Sequence, residues 1–425
     1  MEYSKHILKN GTRVLLAPMN ETETVTVQII VKVGSRNETE ANNGISHFLE
    51  HLFFKGTKRR PSYKLINELL DGTGGISNAY TSKEETSYYI KTPAKKVELA
   101  LDLMSDAFHN SLLRQGDINV ERGVILQEKS MNLDLPQRHI WDIFEEMVFY
   151  EQPMGRQIVG SEKVIKSIKR KDFINYLSKN YLPASTVVIV AGKFNPEKIL
   201  LLTEKLFSQK RKRPLRKLKR TEQLQKKAEL NIFEKKTDQT HLVLGFHGPD
   251  LYSKYRYAES LLSTILGGGM SSRMFERVRE KHGLAYYVST TTERYTDCGY
   301  LAAFAGIKHE NVTKAVGLIL DEFRKIAEKK VFRKELKKAK EQMKGALLMG
   351  LESSNAVASF LGNQELYEKE IKKPEDIIKQ IEAVSEKDIL DISQEIIKFK
   401  NLNLAIIGPI FKQQEELMKL LQNFK

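Results

Sequence analysis

A chain of 425 residues exceeds what one ordinary core organises and implies two domains of about 200 residues each. Its composition, 41% hydrophobic and 29% charged, excludes a disordered chain, and no apolar run reaches the length of a membrane-crossing helix. The formal charge of +15 is concentrated in one stretch, so it does not characterise the surface as a whole.

Taken in chain order, the opening MEYSKHILKNGTRVLL lacks the charged, apolar and small-residue order of a signal peptide and reads as a first strand. A strand is expected at 25–33, then a helix around 47–51, a glycine turn at 72–75 leading into a strand pair, a helix at 96–108, a helix at 121–128 and an apolar strand at 186–192. The basic residues from Lys210 to Arg220, with Pro214 among them, mark an interdomain linker. No aromatic side chains interrupt the run, so it reads as a solvated segment, with no nucleic-acid or membrane partner expected. Beyond it the pattern repeats: a strand at 241–246, a helix closing at Gly267 to Gly269, a strand pair, a helix at 311–323 and an apolar strand at 403–408. The expectation is an α+β fold of two similar domains from a duplication, each an antiparallel-rich sheet with helices packed on one face. The boundaries drawn are 1–209 for the first domain, 210–228 for the linker and 229–425 for the second. The single cysteine, Cys298, cannot form an internal disulfide, and with the missing signal peptide this points to a cytoplasmic protein.

The sharpest local feature is HFLEH at 47–51. On a helix, His47 and His51 stand one turn apart on one face and can share a metal ion. Glu50 projects beside that face, where a carboxylate can take a proton from water. The order inverts the commoner His-Glu-x-x-His. Ser46 is positioned to cap the helix N-terminus. A catalytic zinc site takes three protein ligands and leaves a fourth position open. Glu121 and Glu128, two turns apart on one helix face, offer the third, yet spacing alone does not choose between them or exclude Glu85 and Glu98.

The segment GISHFLEHLFFKGT at 44–57 resembles the zinc-binding segment of the pitrilysin and mitochondrial processing peptidase family, and ERGVILQE at 121–128 is similar to that family's second acidic helix. The resemblance implies one Zn2+ per chain held by His47, His51 and Glu128, with Glu50 as the catalytic base and Glu121 supporting a ligand. Gln127 departs from the acid that many members carry there. SSRMFERVREKHGLAY at 271–286 is similar to the family's C-domain segment, which implies that Arg279 and Tyr286 contact the bound peptide. GGISNAYT at 74–81 resembles the edge strand beside the metal, which implies that Asn78, Ala79 and Tyr80 hold substrate as an added strand. The second half has 261–269 where the metal motif would stand, so the resemblance implies one active and one inactive domain. The implied function is a zinc-dependent endopeptidase hydrolysing peptides or unfolded polypeptide segments inside a closed chamber. The implied assembly is a homodimer, or a heterodimer with a related chain. The alternative is a non-catalytic assembly or partner subunit of the same fold.

Overall fold

The computed structural model describes residues 1–209 and 218–424, and the chain divides into two compact units. The first comprises 1–129, 156–219 and 348–374; the second comprises 130–155, 220–347 and 375–425. In the first, strands β1 (Ser4–Ile7), β2 (Arg13–Pro18), β3 (Thr24–Val31), β4 (Ile76–Thr81), β5 (Thr86–Pro93) and β6 (Thr186–Gly192) form a sheet in the order β1-β2-β6-β3-β5-β4. In the second, β7 (Glu229–Phe233), β8 (Thr240–Gly248), β9 (Ala285–Arg294), β10 (Gly299–Ile307) and β11 (Leu402–Ile407) are ordered β7-β11-β8-β10-β9. Setting β1 aside, the two orders are the same, strand for strand. Each sheet has one parallel pair, β2 with β6 and β7 with β11, and is otherwise antiparallel. This is the duplicated α+β fold.

Seven α-helices precede β6: α1 (Ile45–Leu52), α2 (Tyr63–Asp71), α3 (Val97–Asn110), α4 (Gln115–Asp134) and α5 (Pro136–Val148), then Glu162–Ser167 and Arg170–Asn180. All seven residues of β6 are buried. A strand with one wet face alternates, so continuous burial means that both faces of the sheet are covered. On one face Val25, Val27, Ile29 and Val31 join Val188 and Val190 in a core with α1 and α3, which is the helical layer expected. Among the described residues the other face is covered by helix Ser354–Tyr367, whose Val357, Ala358 and Leu361 lie against Ile30, Val187 and Ile189. Each such buried aliphatic side chain contributes about 1.5–3 kcal/mol. In the second unit α5 has the same place, with Ile140, Ile143 and Phe144 against Val243, Ala302 and Ala405.

The units are therefore not the continuous halves drawn at 1–209 and 229–425. Segments 130–155 and 348–374 are exchanged, each carrying one helix to the sheet encoded by the other half. Of the expected linker, 210–217 lies outside the described residues, and the units change between Lys219 and Arg220. Among the described residues, no helix is long and apolar enough to cross a membrane.

One backbone crossing sets where α1 lies. Gly44, in the left-handed region at φ 98°, precedes the helix, and a Cβ there would come within 2.3 Å of the Val159 carbonyl oxygen. Gly160 answers it: its Cβ would stand 2.2 Å from the Asn43 oxygen. Lys129 of α4 then donates to the Gly160 carbonyl at 2.8 Å and to Gln157 Oε1 at 2.6 Å, tying the same loop to the second acidic helix. Replacing Gly44 with Ala meets both the positive φ and the clash, and is expected to destabilise the protein by about 2 kcal/mol or more. A lower urea midpoint with unchanged slope would report it.

Candidate metal and catalytic site

Helix α1 places His47 and His51 one turn apart, with their rings 4.7 Å from centre to centre and inclined by 68°. Helix α4 supplies the third group. Its buried stripe runs Ile118, Glu121 and Ile125, at helical spacing, and the next position on that stripe is Glu128. Glu128 Oε2 stands 3.5 Å from His47 Nε2 and 3.4 Å from His51 Nε2. These separations exceed an ordinary N–H···O hydrogen bond of about 2.9 Å. They match donors arranged tetrahedrally around an ion with bonds of about 2.0–2.2 Å, which stand about 3.4 Å apart. Two imidazole nitrogens and a carboxylate are also the donor chemistry that zinc takes in catalytic sites. His47, His51 and Glu128 are the only such group of three among the described residues. Glu85 and Glu98, the other acids that spacing left open, lie elsewhere: Glu85 accepts from the Tyr80 hydroxyl at 2.9 Å, and Glu98 pairs with the exposed Lys198.

The surrounding groups hold these donors in place. Glu121 Oε2 is 3.2 Å from His51 Nδ1, so that nitrogen donates and leaves Nε2 free to bind a cation. Lys55 closes on the other Glu121 oxygen at 2.6 Å. Among the described residues, His47 Nδ1 is buried without a hydrogen-bond partner, so on that side the ring is held by packing. Burial pushes the His47 imidazole down to about 4, which keeps it neutral at neutral pH. At His51 burial pulls downward, but the neighbouring Glu128 and Glu121 carboxylates outweigh it and raise the value. Glu50, half-buried on α1, has its carboxyl pushed up by burial, and the hydrogen bond from Thr81 opposes this.

The cap of α1 differs from expectation. Ser46 lies inside the helix, and its hydroxyl meets the Tyr176 hydroxyl at 2.9 Å. The orphan amides of Gly44 and Ser46 donate instead to the two oxygens of Glu38, at 2.7 and 2.8 Å, and Asn43 donates to it as well. A carboxylate six residues upstream reaches two amides at once, which a serine hydroxyl cannot. Burial raises the Glu38 carboxyl to about 7. Neither Glu38 nor Lys55 carries a sequence signal, because both act across a loop and not at a helical period.

Asn78, Ala79 and Tyr80 lie on β4, an edge of the first sheet that pairs only with β5 among the described residues. Asn78 is exposed, and its Oδ1 accepts from the Ala79 amide. Arg279 and Tyr286 belong to the second unit. There the Arg279 guanidinium stands 6.0 Å from the ring centre of Tyr286, the second residue of edge strand β9, which is 73% exposed.

Two family profiles match the chain: "Insulinase (Peptidase family M16)" over residues 13–162 and "Peptidase M16 inactive domain" over 167–343. A Streptomyces coelicolor protein described as an uncharacterized zinc protease is 32% identical over 413 residues, covering 96% of this chain and 90% of that protein. A Rickettsia felis protein described in the same words is 36% identical over 407 residues, covering 95% of this chain and 96% of that one. The crystal structure of a protease from Helicobacter pylori superposes with a TM-score of 0.88 at 26% identity, covering 96% of this chain and 99% of that one.

Replacing Glu121 with Gln weakens the hold on His51 and is expected to cut Zn2+ affinity by about 10–100-fold, read by calorimetry. In the unaltered protein, affinity should fall as pH drops, since a proton on His51 competes with the ion. With His51 raised, that fall begins above the ordinary imidazole value of about 6.5.

Proposed function

The chain belongs to peptidase family M16, the insulinase family, and from that premise we propose that it is a zinc-dependent endopeptidase acting on peptides or unfolded polypeptide segments. The observation that carries the reading is the convergence of His47, His51 and Glu128 with Glu50 on the same helix. Zn2+ bound by those three groups would supply Lewis-acid chemistry, acidifying water and polarising the scissile carbonyl. Glu50 takes the proton from the attacking water and delivers it to the leaving amine, a task that suits a carboxyl raised by its surroundings.

In this reading the peptide lies extended along the outer edge of β4, bonded through its backbone beside Asn78, Ala79 and Tyr80. Arg279 and Tyr286 contribute donors to peptide carbonyls. A homodimer enclosing a chamber would restrict entry to peptides and unstructured segments, and the lone Cys298 suits a cytoplasmic setting. A non-catalytic subunit of the same fold is the competing reading. The profile named for an inactive domain covers 167–343, whereas the histidines and both acids lie in the segment matched by the other. The complete ligand set supports the catalytic reading.

Glu50→Gln protein should bind Zn2+ normally and lose about 10²- to 10⁴-fold in kcat on an unstructured peptide. Glu128→Ala should instead lower zinc content, measured by atomic absorption on purified protein. Cleavage by Glu50→Gln at the unaltered rate would remove Glu50 from its role.

A further inference from the structure

The Glu50 carboxylate has one hydrogen-bond donor among the described residues, the Thr81 hydroxyl, 2.6 Å from Oε2. We infer that Thr81 is the positioning residue for the base: its hydroxyl fixes the Glu50 carboxylate and ties it to the strand along which the substrate lies. This rests on the peptidase reading above.

Three features support the assignment. First, the distance marks a short, charge-assisted bond, and a donor at Oε2 leaves Oε1 as the oxygen open to a proton. Without it, a glutamate on a helix has several staggered rotamers, and only some would face the reacting water. Second, Thr81 is a rigid donor. It closes β4 opposite Thr86, whose own hydroxyl donates to the Val33 carbonyl at 2.8 Å. The adjoining turn is pinned by Ser82 N to Glu85 O at 2.8 Å, by Ser35 N to Ser82 O at 3.1 Å, and by Arg36 N to Lys83 O at 2.8 Å. Beneath the turn, the buried Arg36 guanidinium pairs with Glu84 at 2.5 Å. A β-branched residue in a strand also has a restricted χ1, which serine would not match as well. Third, the connection is direct: Thr81 follows Asn78, Ala79 and Tyr80 on the same edge strand, so the backbone that sets substrate register also sets the base.

A merely structural threonine would affect stability or metal binding; a positioning one affects turnover. Thr81→Val keeps the shape and removes the donor. It is expected to lower kcat about tenfold or more on an unstructured peptide, with KM and Zn2+ affinity within about twofold of the unaltered protein. Thr81→Ser restores the hydroxyl and should recover kcat to within about threefold. A crystal structure of Thr81→Val should show the Glu50 side chain displaced with the β4–β5 register unchanged. Unaltered kcat in Thr81→Val, or a loss that follows zinc content or is not recovered by serine, would overturn the assignment while leaving the peptidase reading intact. Failure of the zinc-loaded, unaltered protein to cut any unstructured peptide would overturn the peptidase reading, and the assignment with it.

Discussion

The placement of Glu128 within 3.5 Å of both imidazoles is the contact on which the rest depends. Two helices far apart in sequence must bring nitrogen and oxygen donors to one point, and the chain does so with a backbone crossing. Gly44 and Gly160 approach more closely than any side chain would permit, and Lys129 anchors that crossing to α4 immediately after Glu128. The same convergence gathers Glu50, Glu121 and Glu128 around two imidazoles, of which burial holds one neutral. Partly buried carboxylates are costly unless compensated. Lys55 offsets Glu121, and Thr81 stabilises Glu50. A divalent cation at the centre would relieve what remains.

The duplication explains why one unit holds such a cluster and, among the described residues, the other does not. Strand for strand the sheets are equivalent, and helix Arg256–Gly267 follows β8 as α1 follows β3. In that second helix Leu261, Leu262 and Leu266 are fully buried, so the element that carries donors in one unit supplies core in the other. Its buried acid, Glu259, is paired with Arg294 at 2.7 Å and has no imidazole to join. The second unit keeps instead an edge strand with an exposed tyrosine near its start, beside an arginine.

Much of this was legible in the sequence, for identifiable reasons. His47, Glu50 and His51 show through helical spacing, and strands such as 186–192 show through unbroken apolar character. Glu128 was not separable from Glu121 by period alone, since both lie on the buried stripe of α4; the family resemblance chose between them. The exchange of α5 and helix Ser354–Tyr367 was hidden because an amphipathic helix records that it has a partner, not which sheet the partner belongs to. The unbroken apolar character of 186–192 was the available sign that a second layer existed. Glu38, Lys55 and Thr81 were hidden for a related reason: each reaches its target across a turn or from another element, where no periodicity operates. Ser46 looked like a cap because local propensity favours serine there, and a better-placed carboxylate outcompeted it.

The central claim is that His47, His51 and Glu128 together form one metal site. Anomalous diffraction at the zinc absorption edge, from crystals grown with Zn2+, tests it most directly. The account requires one peak per chain, about 2.0–2.2 Å from His47 Nε2, His51 Nε2 and a Glu128 oxygen. A peak on other residues, or a fully occupied peak that Glu128 does not touch, would contradict it.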